Sequence, residues 1–514
     1  MQQIIPAIAN AELDERSTIL VPVSAAEGIP ITGPAWVKST VDAVRGLKPW
    51  LGTNYLPSTG LGLTPAQEPT ATIAVRAPEH AEPLPRTLPD SSYTLRISET
   101  AIVVECAGPA GLTQALRTLG QLVDADGRIP TGTIADAPRF SYRGIHLDVG
   151  RHFFGASFIK RLLRLMASLG FNVFHWHLTD DQGWRMPIDS YPRLTQIGAY
   201  RTEPDGSLYG GHYTKDDIRD VVTYAGALGI LVVPEIELPG HARAAIAAYP
   251  ELSCRSEQLE VTHKWGICED VFCAGDDRLF EFLDAVFDEV CDLFPSEIIH
   301  IGGDECPKNR WRECDRCNAR LVGEGLHDYD ELQSYVIGRA ARMLADRGRR
   351  AIGWDEILEG GLPDDTLVMS WRGTSGGVTA AAAGHTVVMT PTSHCYFDYR
   401  QIDSPDAVGF SFRDEHGRIP VTTIDTVYQF DPVAGLTDDA AANVLGGQAN
   451  LWSELIETEE IAERMIAPRI LAMAEVLWAH PVVRNFEAFK PRAQAGLSLL
   501  QRIGWRYTDV PELQ

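Results

Sequence analysis

The sequence contains no apolar run long enough to form a membrane span. A transmembrane helix needs roughly 18 or more consecutive apolar residues, and no stretch of the chain approaches that length. The N-terminus also lacks a basic segment followed by an apolar one, because the early run IIPAIA is short and contains proline. We therefore expect no membrane partner and a cytoplasmic location, or secretion if a signal segment was removed.

Positive charge is scarce as well. The 514 residues include 45 Lys and Arg against 70 Asp and Glu, which gives a formal net charge of -25 at pH 7. A surface of this sign repels nucleic acids and anionic lipids, so we expect no nucleic-acid partner. Hydrophobic residues make up 45% and charged residues 22%, which is typical of a folded protein. The length predicts two domains, one of them large.

Cysteine is too sparse for a disulfide scaffold, since nine cysteines are spread over the whole chain. Cys306, Cys314 and Cys317 end in a CxxC, but their flanks hold no second CxxC and no HxxxH that would complete a four-ligand zinc site. We favour buried thiols or a loop disulfide at these positions. The sequence thus predicts no metal and no cofactor.

Residues 1–138 are predicted to form a small α+β domain that supports the rest of the chain. The segment contains four β-rich runs followed by one amphipathic helix, namely TILVPV, ATIAVRA, SYTLRIS, AIVVECA and GLTQALRTLGQLV. We see no catalytic motif in it. Residues 124–140 are interpreted as the linker to the second domain, which spans residues 139–514.

From about residue 142 the pattern alternates between short apolar runs and helices. The predicted strands are RGIHLDV, NVFHWHL, GILVVPEI, EIIHIGG, RAIGW, TLVMSW, TVVMT and VLGGQANLW. The clearest helices are FIKRLLRLMASLG, KDDIRDVVTYAGALG, LFEFLDAVFDEVCDLF, ELQSYVIGRAARMLADRG and IAERMIAPRILAMAEVLWA. Alternating strands and helices imply a parallel sheet, and eight such units imply a (β/α)8 TIM barrel. No GxGxxG follows a strand, so a dinucleotide-binding fold is not favoured.

Polar and aromatic residues collect at the carboxyl ends of these strands, where the active sites of such barrels lie. In chain order they are Asp148, Arg151, His152, His175, His177, Asp180, Asp181, Glu235, Glu237, His241, Asp304, Glu305, Trp354, Asp355, Glu356, Trp371, Tyr396, Asp398, Tyr399, Trp452 and Glu454. Carboxylates bind sugar hydroxyls, and tryptophan rings stack on the apolar faces of a pyranose. The coincidence across the strand ends predicts a sugar-binding pocket.

The segment IIHIGGDE is the most informative. Gly302 and Gly303 allow the backbone to pass close to a bulky neighbour, and Asp304 and Glu305 follow at the strand end. Repulsion between adjacent carboxylates moves their pKa values apart, so that one holds a proton near neutral pH while the other stays charged. Glycosidic cleavage needs such an acid and such an anion. The alternative is a solvated acidic turn.

Together with the other strand ends, HIGGDE resembles the family 20 glycoside hydrolases, the β-N-acetylhexosaminidases. The shared motifs occur in the family's order over about residues 142–480, and they are RGIHLDVGRHFF, NVFHWHLTDDQGWR, PEIELPGH, HIGGDE, GWDEI, SWRG, YFDY and NLWSE. The resemblance implies a barrel enzyme that releases terminal β-linked GlcNAc or GalNAc from glycosides or oligosaccharides. It also implies a retaining mechanism in which the sugar's own 2-acetamido oxygen attacks the anomeric carbon and forms an oxazolinium ion.

The resemblance implies roles for individual residues. Glu305 would be the general acid, Asp304 would orient the acetamido N–H and balance its positive charge, and Tyr396 would hydrogen-bond the acetamido oxygen. Asp180 and His241 would set the proton state of Glu305, whose pKa we expect the aromatic walls to raise. The expected substrate-binding residues are Arg143, Trp354, Trp371, Trp452, Glu454 and Asp398.

Three other functions remain open at this point. A barrel metallohydrolase would use His175, His177, Asp180 and Asp304 as ligands, although core hydrogen bonding is the favoured interpretation of the two histidines. A non-catalytic sugar-binding protein would lack the acid that Glu305 supplies. A relative that releases a disaccharide, like a lacto-N-biosidase, would need a pocket open beyond the 4-hydroxyl. The loops at about 182–212 and 242–278 are expected to shape either outer subsites or the contact of a homodimer.

Overall fold

The computed structural model describes residues 4–20, 31–45, 72–82, 84–124, 127–363, 365–404, 407–409 and 421–514. The strands in these residues are β1 (Asn10–Leu20), β2 (Ile31–Thr32), β3 (Thr72–Arg76), β4 (Tyr93–Ile97), β5 (Ala101–Cys106), β6 (Arg128–Asp136), β7 (Tyr142–Asp148), β8 (Val173–His177), β9 (Thr179–Asp180), β10 (Gly183–Trp184), β11 (Tyr200–Thr202), β12 (Leu208–Gly210), β13 (Leu231–Leu238), β14 (Ile298–Gly302), β15 (Arg350–Trp354), β16 (Leu367–Ser370), β17 (Val387–Met389) and β18 (Val444–Leu451).

The α-helices of the same residues are α1 (Val37–Arg45), α2 (Pro109–Leu122), α3 (Ala156–Leu169), α4 (Arg193–Gln196), α5 (Lys215–Ala227), α6 (Arg243–Ala248), α7 (Arg278–Leu293), α8 (Asn309–Arg312), α9 (Asp315–Gly323), α10 (Tyr329–Asp346), α11 (Ser375–Ala382), α12 (Thr392–Cys395), α13 (Ile424–Gln429), α14 (Asp438–Ala441), α15 (Glu459–Ile466), α16 (Arg469–Trp478) and α17 (Phe486–Arg502). Short 3-10 helices occupy Pro250–Leu252, Asp355–Leu358, Pro481–Val483 and Pro511–Leu513. In this part of the chain, no helix is both long and apolar enough to cross a membrane.

The N-terminal part forms a six-stranded sheet in the order β1-β6-β4-β5-β3-β2. The predicted β-rich runs fall on β1, β3, β4 and β5, except that residues 21–23 of TILVPV lie outside the described residues. Helix α2 contacts both the sheet and the barrel helix α3, and its residues 110–119 are buried. A helix covered on both sides in this way joins the sheet to the barrel.

The interpretation of residues 124–140 as a linker is wrong over β6. This strand pairs with β1 on one side and β4 on the other. Its Ile129 and Ile134 are buried, and Gly132 is needed because a Cβ there would lie 2.1 Å from the carbonyl oxygen of Glu12. The proline and glycine that suggested a linker therefore belong to a strand whose backbone passes close to its neighbour.

The predicted (β/α)8 barrel is confirmed. Strands β7, β8 and β13–β18 form a closed barrel in which chain neighbours pair in parallel and β18 pairs with β7. All eight predicted strands belong to it, and the predicted helices are present on α3, α5, α7 and α10. The last helical pattern forms two helices, α15 and α16, because Pro468 has no backbone N–H to continue the first.

The barrel interior contains a polar centre around Glu235, above a layer of apolar side chains that includes Val173, Leu231 and Ile298. His175 Nδ1 is hydrogen-bonded to Gln448 Nε2 over 3.1 Å, and His177 Nδ1 is hydrogen-bonded to Glu235 Oε2 over 2.5 Å. Core hydrogen bonding of these two histidines is thus confirmed.

Candidate active site

A pocket of about 160 Å³ opens at the carboxyl ends of the barrel strands. It is lined by Arg151, His241, Asp304, Glu305, Trp354, Trp371, Tyr396, Asp398, Tyr399, Trp452 and Glu454. The structure therefore brings together all the predicted site residues except two. Asp180 lies directly behind the wall, with Oδ1 3.2 Å from His241 Nδ1. Arg143 lies elsewhere.

The prediction for Arg143 is wrong. Arg143 is the second residue of β7, at the amino end of the barrel, and its side chain is buried there. The guanidinium donates hydrogen bonds of 2.7 Å each to the carbonyls of Gly170 and Phe140 and to Ser91 Oγ. Because Ser91 precedes the barrel in the N-terminal part, Arg143 joins the two parts of the molecule and cannot reach a substrate.

Arg151 is the arginine of the pocket, and it follows β7 at the carboxyl end. Its Nη1 lies 3.2 Å from Asp148 Oδ2, and its Nη2 lies 3.0 Å from Asp180 Oδ2. Glu454 Oε1 is 4.0 Å away, and the guanidinium carbon lies 5.1 Å from the centroid of the Trp452 ring. Two buried carboxylates therefore hold Arg151 in a fixed pose, with Glu454 beside it.

Asp398 contributes a buried carboxylate to the same side of the pocket. Its Oδ1 has no hydrogen-bond partner among the described residues. Burial, and then the charge of Glu454, raise the pKa of Asp398 well above its usual range. A buried carboxylate oxygen without a partner is costly to ionise, which fits the raised pKa.

The two glycines before the acidic pair have the role that the sequence suggested. Both lie in the left-handed region, with φ of 63° at Gly302 and 93° at Gly303. A Cβ on Gly302 would lie 1.8 Å from Glu237 Oε2, and one on Gly303 would lie 2.3 Å from Ile357 Cγ2. Only glycine fits such close contacts, so the expected close approach is confirmed.

Two pocket residues adopt a backbone conformation that is unusual for non-glycine residues. Glu305 has a φ of 43° and His241 a φ of 47°. Such conformations cost of order 1–3 kcal/mol each and persist where the surrounding structure enforces them, often at functional sites. The turn after β14 and the turn after β13 therefore hold these two side chains on the pocket wall at the expense of local strain.

His241 connects the buried acids to the pair in the pocket. Its Nδ1 lies 3.2 Å from Asp180 Oδ1, and its Nε2 lies 3.6 Å from both Asp304 Oδ2 and Glu305 Oε2. Burial lowers the pKa of His241, but the charges of the surrounding aspartates outweigh this effect and hold it well above its usual range. These charges favour the imidazolium form of a ring that faces both carboxyl groups of the acidic pair.

The pKa values of the acidic pair are separated, as predicted, but in the opposite order. Burial raises the pKa of Asp304 to about 7, against the charge of His241 and with the help of the charges of Glu305 and Glu235. Burial also raises the pKa of Glu305, but the neighbouring His241 and the charge of Arg151 bring it below its usual value. The expectation that the pKa of Glu305 is raised is thus wrong, and Asp304 is the member of the pair whose pKa is raised.

The aromatic walls are fixed by hydrogen bonds to buried acids. Trp354 Nε1 donates to Glu235 Oε1 and Trp371 Nε1 donates to Glu356 Oε2, each over 2.8 Å. The Trp371 ring is stacked with Tyr396, at 6.2 Å between centroids and 22° between planes. A wall of this kind is rigid before a ligand arrives, which reduces the entropy lost on binding.

The ligand set of the metallohydrolase alternative does not converge. Several sets of described side chains have possible ligand atoms that lie within 4.8 Å of one another. His175 and His177 belong to two different sets, each with Glu235, whereas Asp180 lies in a set with His241, and Asp304 lies in one with His241 and Glu305. None of these sets combines the four predicted ligands. The geometry therefore gives no support to a metal bound by His175, His177, Asp180 and Asp304.

Comparison with known proteins identifies the family. The model of the glycosyl hydrolase family 20 catalytic domain matches residues 140–481, and the model of that family's domain 2 matches residues 1–137. The chain belongs to glycosyl hydrolase family 20.

Named relatives resemble this chain over most of its length. It is 40% identical to a beta-hexosaminidase of Porphyromonas gingivalis, over 99% of this chain and 64% of that protein. It is 38% identical to a beta-hexosaminidase of Vibrio furnissii, over 76% of this chain and 65% of that protein. The chain thus spans less than two thirds of the length of these relatives. A crystal structure of a family 20 exo beta-N-acetylglucosaminidase from Vibrio harveyi with N-acetylglucosamine matches at 30% identity with a TM-score of 0.84, over 99% of this chain and 78% of that one.

Proposed function

We propose that this protein is a β-N-acetylhexosaminidase that removes a terminal β-linked GlcNAc or GalNAc from a glycoside or an oligosaccharide. The observation that carries the proposal is the pair Asp304 and Glu305 on the wall of an aromatic pocket in a family 20 barrel. The names of the relatives point the same way, since they are beta-hexosaminidases.

The pocket suits a sugar that supplies its own nucleophile. Asp304 lies on the pocket wall, and its carboxylate would accept a hydrogen bond from an acetamido N–H. The Tyr396 hydroxyl would donate to the acetamido oxygen and hold it under the anomeric carbon. A nucleophile that is part of the substrate has a very high effective concentration, so the protein need only fix its direction.

One proton shared by the acidic pair accounts for the acid step. Without substrate contacts, Asp304 is the better proton holder of the two, because its pKa is raised to about 7. An acetamido N–H that donates to Asp304 favours the ionised form of that group. The sugar would also exclude water from Glu305, whose side chain is 34% exposed, and burial favours the protonated acid. Substrate binding thus transfers the proton to Glu305, which donates it to the glycosidic oxygen as the bond breaks.

The small volume of the pocket favours release of one sugar. About 160 Å³ is well below the ~300–1,000 Å³ of pockets that enclose drug-sized ligands, and it corresponds to a single ring. Arg151, Asp398 and Glu454 lie together on one side of the pocket and would bind the outer hydroxyls of that ring. Release of a disaccharide would require these side chains to leave room for a second ring.

The substrate assay that tests the proposal compares aryl glycosides with and without the acetamido group. We expect kcat/KM for the nitrophenyl β-GlcNAc and β-GalNAc substrates to exceed that for the β-glucoside by at least about 1,000-fold, because the glucoside carries no internal nucleophile. The release of nitrophenolate measures all three rates. Comparable cleavage of the glucoside would overturn the proposal and would require an enzyme carboxylate as the nucleophile.

A further inference from the structure

Four cysteine side chains converge in the loops beside the pocket. The sulfurs of Cys254, Cys273, Cys314 and Cys317 all lie within 4.8 Å of one another. Cys254 to Cys317 and Cys273 to Cys317 are 3.7 Å apart, and Cys273 to Cys314 is 3.8 Å. None of the four forms a disulfide in the structure. Of the two alternatives predicted for Cys306, Cys314 and Cys317, the structure has buried free thiols and no loop disulfide. Cys306 lies outside the cluster.

The sulfur separations match the edges of a tetrahedron around one metal ion. Zn–S bonds of about 2.3 Å in tetrahedral geometry place the sulfurs about 3.8 Å apart. A disulfide would need the sulfurs at about 2.05 Å, far closer than any separation found here. An iron–sulfur cluster would hold them further apart, because its thiolates bind different iron atoms. Cysteine sulfurs alone are the ligand set of a closed structural zinc site.

The surroundings of the sulfurs are also those of a metal site. A Cβ on Gly275 would lie 2.3 Å from the backbone nitrogen of Cys317. Only glycine therefore allows the backbone after Cys273 to approach the backbone at Cys317 this closely. Arg316 interacts with the sulfurs of Cys273 and Cys314 and donates to the carbonyl oxygen of Cys254 over 3.0 Å. Four thiolates around one Zn²⁺ leave two negative charges, which such a guanidinium partly balances.

We propose that Cys254, Cys273, Cys314 and Cys317 bind one structural Zn²⁺ ion. Cys254 and Cys273 lie in the loop between β13 and α7, whereas Cys314 and Cys317 lie after β14. The ion thus ties the loop that carries His241 to the loop that carries the acidic pair. It has no place for a substrate, since protein sulfurs fill all four positions.

Hydrogen bonds extend from the cluster to the active site. Phe272, which precedes Cys273, donates its backbone N–H to the carbonyl of Pro239 over 3.0 Å, two residues before His241. Its own carbonyl accepts from Trp311 Nε1 over 2.8 Å, and Trp311 lies in α8, six residues after Glu305. Loss of the ion is therefore expected to loosen the relative position of His241 and Glu305.

Metal analysis of the full chain tests the proposal. Protein expressed in zinc-supplemented medium and desalted should contain about one zinc per chain, and Cys314→Ser and Cys317→Ser should each lower this to less than about a tenth. Cys291→Ser is the control, because this half-buried cysteine is outside the cluster, and it should keep its zinc. Removal of zinc from the wild type should lower the Tm by at least about 5 °C.

Several outcomes would overturn the zinc site. The proposal fails if the wild-type protein contains no zinc, if it contains iron instead, or if its intact mass shows that these cysteines form disulfides. These three measurements use the wild type alone, so they do not depend on whether the serine variants fold. If the variants are insoluble, a mercurial reagent can release zinc from the wild type, and a chromogenic chelator then measures the number of zinc ions per chain.

These readouts involve no catalysis. A chain that binds zinc but is inactive would contradict the proposed function alone, and an active chain without zinc would contradict the zinc site alone.

Discussion

Glu305→Gln should lower kcat/KM for an N-acetylhexosamine oligosaccharide by about 1,000-fold or more. Glutamine keeps the shape of the side chain, but it cannot donate a proton to the departing oxygen, and general acid catalysis contributes roughly 100- to 10,000-fold. The loss in the bond-breaking step should be much smaller for a dinitrophenyl glycoside, because its leaving group departs without protonation. Steady-state and pre-steady-state rates for the two substrates measure this difference.

The dependence on the leaving group distinguishes this role from a structural one. Glu313→Gln is a suitable control, because Glu313 lies in the same loop after β14 with its side chain 73% exposed. This variant should keep wild-type rates on both substrates. A Glu305→Gln enzyme that loses the same factor on both would show that Glu305 positions other groups and does not donate the proton.

Asp304→Asn should lower kcat by about 1,000-fold, which is the upper end of the loss when one group that stabilises transition-state charge is removed. Asparagine can still contact the acetamido group, but it carries no negative charge to balance the developing oxazolinium ion. KM should change far less than kcat. Asp346→Asn, an exposed position at the end of α10, is the control that should leave both constants unchanged.

The same variant should change the pH profile. The active form of the acidic pair holds one proton, so kcat/KM of the wild type should fall as pH rises through the pKa of Asp304, about 7. In Asp304→Asn the only remaining proton is that of Glu305, whose pKa lies below its usual value. The alkaline limb of the profile should therefore move to lower pH. If the alkaline limb of Asp304→Asn stays where it is in the wild type, the group that loses a proton near pH 7 is neither Asp304 nor Glu305.

The barrel and most of its pocket could be predicted from the sequence because both depend on local patterns. Apolar runs specify the strands, and the residue that follows each run must lie at the carboxyl end of the barrel. The same rule explains the error at Arg143. One motif, RGIHLDVGRHFF, contains two arginines, and only Arg151 follows the strand, whereas Arg143 lies near its start. Applying strand direction to every residue of the motif would have identified the correct arginine.

Features that depend on distant parts of the chain could not be predicted in this way. The four cysteines come from three segments of the chain, and Cys317 lies 63 positions after Cys254 while Cys314 lies 41 positions after Cys273. No spacing rule joins them before the loops fold together. The pKa order of the acidic pair likewise depends on how His241 and Arg151 approach Glu305, and strand β6 depends on its pairing with β1 and β4.

The central claim is that the substrate's acetamido oxygen is the nucleophile, and fluorination of the acetyl group tests it most directly. Each fluorine withdraws electrons from this oxygen without changing the leaving group or the ring. We predict that kcat falls progressively from the N-acetyl to the N-trifluoroacetyl nitrophenyl glycoside, by about 100-fold or more, while KM changes little. Rates that stay equal across the series would contradict the account and would assign the attack to a carboxylate of the enzyme.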